Sequence, residues 1–134
     1  AIQYVKELEP YNPMFIEEPI QPGDPSTLLQ IKEAICCPLA TDERLIGLQE
    51  FESLFHLRAI DIAQPDLNHC GGLFEAKNIA SAASVANIAI APHNPNGPIA
   101  GAAALHFAIS TPKSLAINCS IGFFFAFIIF GSVA

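Results

Sequence analysis

The sequence predicts an α/β fold: a partial (β/α) TIM-type barrel of about four to five βα units, followed by an atypical apolar tail. Short, continuously apolar runs alternate with segments of helical periodicity, as parallel strands covered on both faces require. A polar side chain recurs at the C-terminal end of each apolar run, at Glu17, Glu43, Asp66, His93 and Asn118, with spacings of 23 to 27 residues. The third observation is length: a whole barrel takes about 250 residues, and this chain has 134.

The elements follow in order. AIQYVKELEP has no basic start followed by an apolar core, so it is not expected to be a signal peptide and reads instead as the end of a helix. MFIEEP (14–19) is a first strand, and a helix over 26–35 follows, with apolar residues at helical spacing after the Asp-Pro-Ser start signal of GDPS. PLATDE (38–43) and AIDIAQPDL (59–67) are the next strands, separated by a helix over 48–57. An Ala-rich helix (72–86) leads to IAIAPH (88–93), a small-residue helix (98–110) and a fifth strand, SLAIN (114–118). The organisation expected is residues 1–118 as the C-terminal portion of a barrel and 119–134 as an apolar tail.

Composition narrows the function. Half the chain is apolar (51%), few residues are charged (14%) and the net charge is −7, which argues against nucleic acid and anionic membranes as partners. Four cysteines without a CxxC spacing fit neither a zinc knuckle nor a secreted disulfide framework, so a cytoplasmic location is expected. The uncharged tail, IGFFFAFIIFGSVA, approaches the roughly 20 residues of a membrane helix. The preferred reading is a foreign end, or a segment packed in a larger assembly or over a sheet edge.

The strand-end residues share one chemistry. In a barrel those ends converge on the mouth where active sites sit. Glu17 and Glu43, on neighbouring strands, offer the hard oxygens that Mg²⁺ takes. Asp66 and His93 are adjacent, so the carboxylate can orient the imidazole and raise its basicity. Together they suit proton abstraction next to a substrate carboxylate, with enediolate stabilisation by the metal. Arg44 is a candidate for a substrate carboxylate or for an ion pair with the site acids. His69 reads as a solvated loop residue, His56 and His106 as partly buried structural residues, Glu18 as a supporting or surface acid, and the cysteines as small core hydrophobes.

FIEEP, ATDERL, AQPDLNHCGGL and APHNPNGPIA together resemble the enolase superfamily, in its mandelate racemase-like acid-sugar dehydratase branch, over residues 1 to about 118. The resemblance implies a Mg²⁺-dependent hydro-lyase that dehydrates a galactonate-type sugar acid, as a homo-oligomer in the complete protein. It implies metal ligation by Glu17 and Glu43, and an Asp66–His93 dyad as the general acid/base. The alternatives are a racemase or epimerase on the same scaffold, or a non-catalytic half-barrel fragment.

The departures bear on activity. Family members have a capping domain, a third metal carboxylate and a second acid/base histidine from earlier strands, and none of these is among the motifs present. Asn118 stands where relatives usually carry Glu. The chain thus reads as the second half of a barrel and is expected to be inactive in isolation.

Overall fold

The computed structural model describes residues 1–121 and 124–129, with side chains as far as residue 115. A first helix, α1 (Ile2–Leu8), runs into a 3₁₀ turn (Glu9–Tyr11). Then come β1 (Ile16–Glu17), α2 (Pro25–Ala34), β2 (Leu39–Thr41), α3 (Gly47–Leu57), β3 (Ile62–Ala63), α4 (Gly72–Val85) and β4 (Ala89–Ile90). The chain continues as β5 (His93–Asn94), α5 (Pro98–Ile109), β6 (Ala116–Ile121) and β7 (Phe124–Ile129).

Strands β1 to β4 form one parallel sheet in sequence order. Strands β1, β2 and β3 are each followed directly by a helix, and β4 runs through β5 before α5. Pro92, which has no N–H to donate, falls between β4 and β5. The course of the sheet nevertheless continues. Leu115 N donates to Ile90 O at 2.8 Å, and β5 pairs in parallel with β6, His93 opposite Asn118. The strand expected over 114–118 forms as β6 and so starts two residues later than the sequence suggests, while the strand expected over 88–93 is divided into β4 and β5. Strand β7 pairs antiparallel with β6, so part of the apolar tail is a sheet strand. Among the described residues no helix is long and apolar enough to cross a membrane. Residues 122, 123 and 130–134 of the predicted tail lie outside the described residues.

Local chemistry explains the helix boundaries. Asp24 caps α2 by accepting the Ser26 N–H at 2.9 Å, and Pro25 occupies the first turn. Arg58 ends α3 in the left-handed region, its N–H reaching the carbonyls of Leu54 and Phe55. The start of α3 has no side-chain cap of its own. Glu50 accepts the Ile46 N–H instead, and Glu75 of α4 accepts the Leu48 N–H. Gly71 and Gly72 enter α4 with φ of 114° and 87°, values that a side chain would strain.

Packing separates the two faces of the sheet. Leu39, Ile60, Ala63 and Ile90 join Leu28, Phe51, Leu54, Phe55, Ile79 and Phe107 in the main core under the helices. The buried α3 positions Phe51, Leu54 and Phe55 follow helical spacing. In α4 the buried positions are Ala76, Ile79, Ala80 and Ala83, mostly small residues that let the helix approach the sheet closely. The opposite face carries a smaller cluster, Ala40, Ile62 and Ala91, with Phe15 and Ala89 against it.

Three sequence expectations are corrected by the packing. His56 and His106 are exposed, because both fall off the apolar stripes of their helices. Cys70 is buried, but Cys36 is exposed and Cys37 half-buried, since both follow the end of α2 rather than lie within an element.

Candidate active site

Strand periodicity builds the site. Side chains alternate faces with period two. Glu17, Ala40, Ile62 and Ala89 are register partners across the four strands, so they share the smaller-cluster face. Two residues further along β3 and β4 come Gln64 and Ala91, and two further again Asp66 and His93. Gln64, fully buried, donates from Nε2 to Glu17 Oε1 at 2.8 Å. The polar residues at the strand ends therefore meet above the apolar layer of the same face.

His93 lies between two carboxylates. Its Nδ1 is 3.2 Å from Asp66 Oδ2 and its Nε2 is 2.9 Å from Glu43 Oε2. Asp66 is itself held. Its Oδ1 accepts the Asn68 backbone N–H at 2.8 Å and the Asn68 side-chain amide at 3.1 Å, while Oδ2 accepts from Asn96 at 3.3 Å. Contacts on both ring nitrogens, to Asp66 and to Glu43, fix the plane of the ring.

Glu43 reaches His93 against the alternation of its strand. Counting by two from Ala40 arrives at Asp42, not Glu43. Asp42, however, has φ of 85°, in the region that favours glycine, and the chain there leaves the strand path. Asp42 is buried and its Oδ2 has no hydrogen-bond partner among the described residues. Burial first, then the neighbouring Glu18 charge, pushes its carboxyl up to about 7.

The remaining candidates lie nearby. Arg44 ion-pairs with Glu18 at 3.0 Å and donates to Gln21 at 2.8 Å, so its fork is occupied by the loop after β1. Asn118 is the register partner of His93, at the same end of the sheet, and its side chain lies outside those described. His69 is exposed. Sequence reasoning missed Gln64, Asn68 and Asn96 as supports. Of these, Gln64 had a signal, since it precedes Asp66 by two and shares its face.

The strand-end acids suggest a divalent cation. Glu17 and Glu43 have the right chemistry, hard anionic oxygens. Among the described residues, however, no group of three or more His, Cys, Asp or Glu side chains is placed to hold a metal ion. The donors fit a hard divalent cation in kind, but in this arrangement Glu17 accepts from Gln64 and Glu43 faces His93.

Parallel βα units with acid and histidine side chains gathered at the strand ends have the arrangement of part of a (β/α) barrel. The family model described as enolase C-terminal domain-like matches residues 1–125, and the chain belongs to that family. Similar curated proteins include the D-galactonate dehydratase of Ralstonia pickettii, 42% identical over 102 residues, covering 76% of this chain and 27% of that protein. The D-galactonate dehydratase of Xanthomonas campestris is 37% identical over 118 residues, covering 88% of this chain and 31% of that protein. The chain thus spans less than a third of the length of these relatives. Among solved structures, a mandelate racemase/muconate lactonizing enzyme-like protein from Roseovarius sp. TM1035 superimposes with a TM-score of 0.82 at 39% identity, over 85% of this chain and 29% of that one. A candidate galactarate dehydratase from Agrobacterium radiobacter, with bound Na and L-malate, gives 0.80 at 38% identity, over 84% of this chain and 28% of that one.

Proposed function

We propose that these residues form the acid/base half of a dehydratase site acting on a sugar acid of the galactonate type, a hydro-lyase. The observation that carries the reading is His93 set between Asp66 and Glu43 at one sheet end. The names of the relatives, D-galactonate dehydratase and candidate galactarate dehydratase, support the substrate class.

Dehydration removes the proton α to the carboxylate and expels the neighbouring hydroxyl as water, leaving an enol that becomes the keto acid. Asp66 holds the His93 ring through Nδ1, so Nε2, the nitrogen that faces Glu43, is the one that exchanges protons. His93 then takes the α-proton as base or delivers a proton to the leaving hydroxyl as acid. The partner role falls to a second acid/base group outside the described residues, so the chain alone should not turn over. Glu17 and Glu43 would hold Mg²⁺, the remaining ligands coming from elsewhere. When bound, the cation would offset the negative charge that develops on the substrate carboxylate. The cytoplasm is the expected setting.

The test is turnover of a sugar-acid panel, galactonate and galactarate included, by the full-length protein carrying these residues, with Mg²⁺ and with chelator. The reading predicts Mg²⁺-dependent release of a keto-deoxy acid that His93→Ala abolishes. Undiminished release by a folded His93→Ala variant would overturn it.

A further inference from the structure

We propose that Glu18, the second acid of FIEEP, is the positioning residue for Glu43. The inference deepens the proposed function and rests on the reading in which Glu43 and His93 share one site.

The carboxylate of Glu18 grips the chain on both sides of residue 43. Its Oε1 accepts the Thr41 hydroxyl at 2.6 Å and the Asp42 backbone N–H at 2.6 Å. Its Oε2 accepts from Arg44 Nη2 at 3.0 Å. Residues 41, 42 and 44 are thereby tied to the end of β1, and the intervening Glu43 is the side chain left to face His93 Nε2 at 2.9 Å. Both ends of this clamp lie off the ordinary strand path: φ is 44° at Glu18 and 85° at Asp42. Such conformations persist where surrounding contacts over-determine them. The Glu18 carboxylate is well placed to be that contact, since it takes the Asp42 N–H directly. Its side chain is only 15% exposed, where charge-assisted hydrogen bonds hold geometry better than in open solvent.

Arg44 completes the device. Its guanidinium spans Glu18 and Gln21, which follow the same strand. That contact offsets the Glu18 charge next to Asp42 and joins the loops after β1 and β2 into one unit. The chain's EEP motif thus has divided roles: the first acid faces the site, and the second sets the loop that carries the neighbouring strand's acid.

The test uses the 134-residue chain labelled with ¹⁵N-histidine, with the His93 ring nitrogens read by long-range NMR at one fixed pH. Glu43→Ala calibrates the displacement of the Nε2 resonance when its partner is lost. Glu18→Ala should displace Nε2 in the same direction and by a comparable amount, with Nδ1, facing Asp66, less affected. Glu18→Gln keeps an acceptor for Thr41 and the Asp42 N–H and should restore most of the parent signal. A folded Glu18→Ala chain with Nε2 unmoved overturns the proposal and leaves the dehydratase reading intact, since turnover tests that separately. If Glu18→Ala does not fold, Arg44→Ala, which truncates a largely exposed side chain, decides: a smaller displacement of Nε2 supports the proposal and none overturns it. Nε2 unmoved in Glu43→Ala itself would show that the His93–Glu43 contact does not form, and would overturn the proposal together with the geometry beneath it.

Discussion

At the scale of single residues, the site concentrates groups that folding alone would not favour. Asp42 combines a buried carboxyl lacking a partner for Oδ2 with φ of 85°. A left-handed conformation costs a non-glycine residue about 1–2 kcal/mol, and a buried polar group without a partner adds to that. Asp42→Gly should therefore stabilise the chain by about 1 kcal/mol, after allowing for glycine's greater freedom when unfolded. The check is a urea unfolding midpoint, which should rise; a lower midpoint would show that Asp42 contributes a stabilising contact. His93 and Asp66 should separate kinetically in the full-length protein. His93→Ala removes the proton-transfer group and should lower kcat by about 10²–10⁴-fold. Asp66→Asn keeps the imidazole and loses its charged partner, so it should lower kcat less. Equal activities in the parent and His93→Ala would exclude the dyad.

At the scale of elements, the helices depend on one another for their ends. Glu75 of α4 accepts the Leu48 N–H of α3 at 2.7 Å and the Asn78 amide at 2.9 Å. The Leu48 hydrogen bond first, then that from Asn78, hold the Glu75 carboxyl below its ordinary value of 4.5. A lowered folded-state pKa means that the stabilisation is present above the unfolded value and is lost as pH falls through the folded one. Thermal melts of the parent and Glu75→Gln should differ at neutral pH and converge below about pH 4.5; a constant gap would refute the linkage. Close packing of α4 gives a second test. Ala83 is fully buried, and overpacking a tight core site costs about 1–3 kcal/mol. Ala83→Leu should lose that much by chemical denaturation. These elements were largely legible in the sequence. The Asp-Pro-Ser start of α2, the helix over 48–57 and the alanines of α4 are local signals, read without knowing what they pack against. The contact from Glu75 to Leu48 was not legible, because its partners lie 27 residues apart.

At the scale of the whole molecule, one sheet end collects Glu17, Glu43, Asp66 and His93, while ligands for a complete metal shell are not gathered among the described residues. Mg²⁺ demands near-octahedral oxygen geometry and gives up water reluctantly. Two carboxylates should therefore hold it weakly, and calorimetric titration of the chain should show no binding at micromolar concentration. A micromolar dissociation constant would mean that a second copy or other residues of the chain complete the shell.

The order of elements and the strand ends that bear chemistry were determined by the sequence itself, because both depend on short-range patterns. Apolar runs of strand length, helical spacing and caps recur within a few residues, and their regular beat placed Glu17, Glu43, Asp66 and His93 at corresponding positions. Tertiary structure alone decided which of these side chains meet. Glu43 faces His93 because the left-handed turn at Asp42 breaks the alternation of β2, and Arg44 turns to Glu18 because the loops after β1 and β2 lie side by side. Contacts of this kind join residues more than 20 positions apart, and they exist only once neighbouring strands have paired in one register.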